Sequence, residues 1–63
     1  MNMKKLEMIK KVIISCDKGV IVKYIKRNND FYIFDEIIIT KKEVLNVLEL
    51  FKDNEKVKIT YIM

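Results

Sequence analysis

Residues that reverse the chain direction are scarce in this sequence, which contains one glycine and no proline among 63 residues. Gly19 can supply the positive φ of a tight hairpin, so residues 17–19 predict a first turn. Residues 28–30, two asparagines and an aspartate, predict a second turn. These residue types tolerate left-handed backbone angles and hydrogen-bond their own main chain.

Alternation of side chains between two faces predicts three strands around these turns. The first strand covers about residues 10–15 and the second residues 20–27. The third begins at Phe31 and continues to residue 39, and its acidic pair Asp35 and Glu36 indicates a bulge or an edge, with a further hairpin there as the alternative. Apolar residues off the cleaner faces of these strands and of the last one are Ile21, Ile25, Tyr32, Phe34, Ile38 and Ile62.

A helix and a last strand are predicted in the carboxyl-terminal part. Thr40 and Glu43 have the spacing of a capping box, so the helix should begin at Lys41. Asn54 predicts a left-handed helix end, and residues 56–63 then alternate as a strand. On a helical wheel Leu50 lies outside the apolar arc. That arc consists of Val44, Leu45, Val47, Leu48 and Phe51.

The predicted fold is a small α+β domain of order β-β-β-α-β. A three-stranded antiparallel meander is followed by one amphipathic helix and a fourth strand. A right-handed crossover would make the fourth strand parallel to the third, either beside it or next to the first. We expect residues 1–63 to form one domain, because a chain of this length supports a single core.

Most catalytic and metal chemistry is excluded by composition. The sequence has no histidine and one cysteine, Cys16, so it lacks Ser/His and Cys/His pairs, the common zinc sites and an intrachain disulfide. Asp35 and Glu36, if adjacent in a strand, point to opposite faces and form no carboxylate pair. One glycine cannot build a phosphate-binding loop. We therefore expect no enzyme activity, no metal site and no cofactor.

The amino-terminal residues bear on location. Lysines and Glu7 interrupt residues 1–16 and leave three apolar residues before Ser15, too few for a secretion signal. No stretch approaches the roughly 20 apolar residues that span a membrane. The single thiol suits a reducing compartment. We expect a cytoplasmic protein that does not bind membranes.

The excess of apolar residues predicts a protein partner. One helix covers one face of a sheet, so a second copy of the chain, as a homodimer, or a larger target protein should cover the other. A bulge near Asp35 is the alternative, because a change of register would bury some of these residues in the core. The predicted partner-binding residues are Ile21, Lys23, Ile25, Tyr32, Phe34 and Leu50.

Nucleic-acid binding is the second hypothesis. The net charge is +4, and residues 1–29 carry eight basic and two acidic side chains. Lys23, Lys26 and Arg27 could contact phosphates while Tyr32 stacks on bases. A single arginine leaves little capacity to recognise guanine. The alternative is that these lysines are ordinary surface residues that keep the protein soluble.

In size and composition the chain also resembles a class of small proteins. A short chain rich in lysine and isoleucine, without a cofactor site, is similar to accessory and inhibitor proteins of phages and mobile elements, including those that block host defence nucleases. The resemblance concerns no particular residue. It implies an inhibitor that occludes a target protein, located in the host cytoplasm if phage-encoded.

Overall fold

The computed structural model describes residues 6–63. Within them lie the strands β1 (Lys11–Cys16), β2 (Gly19–Arg27), β3 (Asp30–Ile33), β4 (Ile37–Ile39) and β5 (Lys58–Ile62), with helix α1 (Lys41–Phe51) between β4 and β5. The order across the sheet is β4-β3-β2-β1-β5, and all neighbouring strands are antiparallel. The α+β prediction is confirmed. The predicted absence of a secretion signal rests partly on residues 1–5, which lie outside the described residues.

The first two hairpins form where the turn residues predict them. Gly19 has a φ of 127° and pairs with Cys16 across the β1–β2 hairpin. Asn28 and Asn29 have φ values of 51° and 72° in the β2–β3 hairpin. Positive φ at both loop positions matches the right-handed twist of the flanking strands, so asparagine serves well there.

The predicted third strand is in fact two strands. The turn lies at residues 34–36, where Phe34 has a φ of 53° and Asp35 a φ of 66°, and the amide of Glu36 donates to the carbonyl of Ile33 at 3.2 Å. The alternative of a further hairpin is therefore correct, although the left-handed positions are Phe34 and Asp35. Phenylalanine rarely adopts positive φ, which is why the sequence pattern gave little sign of this turn.

This additional hairpin changes the direction of the last strand. β5 lies beside β1, one of the two expected positions, but runs antiparallel to it, so the predicted parallel pairing is wrong. Because the extra turn reverses the chain once more, β5 runs in the same direction as β4, the strand that enters the helix. The crossover through α1 thus joins strands of equal direction, as expected, with three other strands between them.

The core lies between α1 and one face of the sheet, called the inner face below. Val44 and Leu48 of α1 are buried there, while Leu45, Val47 and Phe51 are partly buried against the same core, as the wheel predicted. Leu6 and Ile9, which precede β1, also contribute buried side chains. The buried strand residues that define the inner face are Val12, Ile14, Val22, Tyr24 and Phe31.

The two ends of α1 are fixed differently. The hydroxyl of Thr40 accepts a hydrogen bond from the amide of Glu43 at 3.2 Å, which confirms the predicted amino-terminal cap. Asn54 does not have a left-handed backbone. Instead, its side-chain oxygen accepts from the amide of Lys56 at 3.0 Å in an Asx turn, so the predicted left-handed end is wrong.

The helix phase predicts opposite effects of one substitution at two leucines. Leu48 is 4% exposed and Leu50 is 75% exposed. Leu48→Glu places an unpaired charge in the core and should unfold the domain. Leu50→Glu should change the free energy of unfolding by less than about 0.5 kcal/mol, as at ordinary surface sites. Circular dichroism with urea titration measures both effects. An equal loss in the free energy of unfolding at the two positions would contradict this helix phase.

The turn at Phe34 predicts a difference between two small replacements. Asparagine tolerates positive φ, whereas a β-branched residue does not. Phe34→Asn should therefore be more stable than Phe34→Val by about 1 kcal/mol, the usual cost of the left-handed region. Urea denaturation measures this difference. Equal stabilities would show that residue 34 does not have a left-handed backbone in solution.

Candidate functional site

The face of the sheet opposite the core, called the outer face below, carries a row of neighbouring side chains. Directly paired residues of adjacent antiparallel strands share a face and lie side by side. Along this outer row, Ile38 pairs with Tyr32, Tyr32 with Ile25, Ile25 with Lys11, and Lys11 with Ile62. Five strands at the usual spacing make the row about 19 Å long.

The outer face continues on both sides of this row. Lys23 pairs with Ile13, and Ile13 with Thr60, to form a second row. Lys58 pairs with Ser15 near the β1–β2 hairpin. Alternation along β2 also places Ile21 and Arg27 on this face. The outer face therefore mixes isoleucine with lysine.

Several apolar side chains of the outer face are accessible. Ile38 is 63% exposed and Ile62 is 42% exposed, whereas Ile13, Ile25 and Tyr32 are half-buried. Helix α1 packs on the inner face, and no other helix or strand among residues 6–63 covers the outer face. Neighbouring side chains of the sheet lie beside these central residues.

The outer face is electropositive. Lys11, Lys23 and Lys58 lie on it, and none of them takes part in an ion pair within residues 6–63. One carboxylate among residues 6–63, that of Asp30, is in register with this face. Asp30 is the cross-strand neighbour of Arg27 at the end of β2. The three ammonium groups are thus available to an outside partner.

Arg27 is occupied by contacts within the protein. Its Nη2 donates to Oδ1 of Asp35 at 3.0 Å, and its guanidinium lies 5.0 Å from the centre of the Tyr32 ring. These contacts connect the β3–β4 turn to β2 and place the guanidinium over the Tyr32 ring. Arg27 therefore organises the edge of the outer face.

The structure separates the residues predicted for nucleic-acid binding. Lys26 pairs in register with the buried Phe31, so it lies on the inner-face side, and its Nζ donates to the carbonyl of Glu7. Lys23, Arg27 and Tyr32 lie on the outer face. Lys26 is therefore on the opposite side of the sheet from the other three, because residues three apart in a strand face opposite sides.

The residues predicted for a protein partner are brought together only in part. Ile21, Lys23, Ile25 and Tyr32 share the outer face. Phe34 lies in the β3–β4 turn at its edge and is 61% exposed. Leu50 lies on α1, which covers the inner face, so it belongs to a different surface.

Lys11, Ile13 and Lys58 complete the outer face but were not predicted as site residues. Alternation in β1 was the available signal, since Val12 and Ile14 are buried while Lys11 and Ile13 are half-buried. The spacing of Leu6, Ile9 and Ile13 also fits a helix, which obscured this alternation.

Other chemically active groups lie away from the outer face or form no cluster. Cys16 is half-buried in a shallow depression beside the β1–β2 hairpin. Burial and the nearby Glu43 carboxylate raise the pKa of Tyr24, and burial raises the pKa of Tyr61. In residues 6–63, no group of three histidine, cysteine, aspartate or glutamate side chains converges as a metal site.

No protein-family model, curated protein or solved structure matches the chain significantly. In the part of the chain that the structure describes, no helix is long and apolar enough to cross a membrane.

The contact between Arg27 and Asp35 predicts a small coupling energy. Both side chains are about half exposed, so water and salt screen the pair. A double-mutant cycle with Arg27→Ala and Asp35→Asn should give a coupling below about 1 kcal/mol that disappears near 1 M salt. Urea denaturation of the four proteins measures it. A coupling that persists at high salt would show that the pair is shielded from solvent.

Proposed function

We propose that this protein is a small non-catalytic module that binds another protein through the outer face of its sheet. The observation that supports this most strongly is the outer row, in which Ile25, Tyr32 and Ile38 lie side by side on the face away from the core. Where one face of an antiparallel sheet is solvated, the strand residues on that face are ordinarily polar. Here isoleucine occupies those positions, and contiguous apolar surface marks an interaction site.

The proposed mechanism is occlusion of the target. A chain without histidine lacks the usual group for proton transfer, but a sheet face with a row of side chains about 19 Å long can cover a functional surface of another protein. The resemblance in size and composition to inhibitors encoded by phages and mobile elements agrees with this mechanism. On this proposal the protein acts in the cytoplasm of the cell that contains its target.

A second copy of the chain is the other protein partner to consider. β4 and β5 are the edge strands of the sheet, and edge strands can pair with those of another molecule. Such pairing would produce a homodimer with a continuous sheet. It leaves the outer face uncovered, so a homodimer formed in this way remains compatible with target binding.

Nucleic-acid binding is supported by fewer groups. Lys11, Lys23 and Lys58 lie on the same face as Tyr32 and could contact phosphates. However, the arginine is paired with Asp35, Lys26 is directed to the other side, and isoleucine has no π face on which a base could stack. The apolar character of the outer row favours a protein.

The proposal predicts loss of binding when the outer row becomes polar. Ile25→Thr combined with Ile38→Thr keeps β-branched residues in the sheet but removes apolar contact area. A tagged protein should capture its target from the source cell, and this variant should bind about tenfold or more weakly, as for residues at the centre of an interface. Quantitative pulldown with purified target measures the loss.

Leu50→Thr is the matched control, since Leu50 is 75% exposed and lies on α1. It should retain full binding. Light scattering of all variants at micromolar concentration reports whether a dimer forms. Unchanged binding by the Ile25/Ile38 variant, or loss of binding by the Leu50 variant alone, would contradict the proposed surface.

A further inference from the structure

We infer that the outer face binds an acidic protein surface, in which apolar side chains lie among carboxylates. This inference rests on the proposed function, since it takes the outer face as the contact surface. It adds the chemistry of the partner, which follows from the positions of three lysines relative to the apolar residues.

Two of the three lysines lie within the apolar surface, whereas Lys58 lies at its edge beside Ser15. Lys11 lies in the outer row between Ile25 and Ile62, and Lys23 lies beside Ile13 in the next row. Their aliphatic stems can pack along the neighbouring isoleucines while the ammonium groups extend above the sheet. A partner that covers the isoleucines must therefore also cover the ammonium groups.

Covering an ammonium group is costly unless an opposite charge replaces its water. An unpaired charge at an interface loses solvation that apolar contacts do not restore. No carboxylate within residues 6–63 forms an ion pair with Lys11, Lys23 or Lys58. The missing carboxylates must come from the partner, whose acidic groups would also set the orientation of binding.

Charge argues against a second copy as the occupant of this face. A two-fold symmetric dimer places the same surface on both sides of the interface. Two outer faces would bring six lysines together, three from each copy, against one in-register carboxylate, Asp30, on each, and this excess of like charge is unfavourable. Self-association through the edge strands avoids this repulsion.

The same ammonium groups would attract phosphates, but the rest of the face favours protein. Tyr32 is the one aromatic residue in the outer row, and Arg27 already lies over its ring. Isoleucine side chains instead match the aliphatic and aromatic side chains of a protein surface. The occupant that meets both the charge and the apolar row is an acidic protein segment.

Selection from a random peptide display library tests this inference directly. The folded protein is immobilised and the enriched peptides are sequenced, and the same selection is made on Lys11→Glu/Lys23→Glu/Lys58→Glu. The matched control is Lys18→Glu/Lys42→Glu/Lys56→Glu, which has the same net charge but changes exposed lysines outside the rows of the outer face. Circular dichroism confirms that each protein is folded. If either triple variant does not fold, both are remade with Gln in place of Glu, at the three outer-face positions and at the three control positions.

The expected result is a peptide pool enriched in aspartate and glutamate next to apolar residues. This acidic enrichment should disappear in the outer-face variant and persist in the control, and an enriched peptide should bind the outer-face variant about tenfold or more weakly. A pool that is apolar without acidic residues overturns the inference. An acidic pool that the control variant loses equally also overturns it, because net charge alone would then explain the selection.

Further measurements distinguish failure of this inference from failure of the proposed function. If peptides bind without acidic enrichment but Ile25→Thr/Ile38→Thr abolishes their binding, the inference is wrong and the protein-binding proposal stands. If no peptides are enriched and a twelve-residue oligothymidylate binds with a steep salt dependence, both are wrong and the face binds nucleic acid. A dimer that Ile25→Thr/Ile38→Thr dissociates would show a second copy on the outer face, which also overturns the inference.

Discussion

A single helix can cover only one face of a five-stranded sheet, and this constraint shapes the whole protein. Val44 and Leu48 of α1 complete the core against Val12 and Ile14 of the interior strand β1. Such a small domain buries a limited share of its surface and has no disulfide to support it. The inner face is therefore the source of stability, while isoleucines on the outer face remain available to a partner.

Much of this fold could be predicted from local pattern. Alternation in β2 correctly divided Val22 and Tyr24 from Ile21 and Ile25, and the Thr40 cap located the helix. The β3–β4 turn could be raised only as an alternative, because its left-handed residues include a phenylalanine. There the Arg27 to Asp35 contact and strand pairing favour a conformation that local preference disfavours. One missed turn was enough to reverse the direction of the last strand relative to β1.

The part of the candidate site that could be predicted depends on the alternation of side chains between the two faces of a strand. Ile25 and Tyr32 were assigned to the same surface because both lie off the cleaner faces, and pairing across β2 and β3 makes them neighbours. Lys11 was missed because the helical spacing of Leu6, Ile9 and Ile13 obscured the alternation of β1, and its position beside Ile62 depends on pairing between distant segments. For the same reason, Leu50 could not be separated from the sheet residues until α1 was placed on the inner face.

The position of β1 between β2 and β5 has a consequence for synthesis of the protein. Residues of β1 pair with residues of β5 more than forty positions later in the chain, as Lys11 does with Ile62. β1 is therefore synthesised before its second neighbour, and one side of β1 has unpaired amides and carbonyls until β5 joins it. Folding can finish only once β5 has paired with β1, and until then the open side of β1 can pair with a wrong strand.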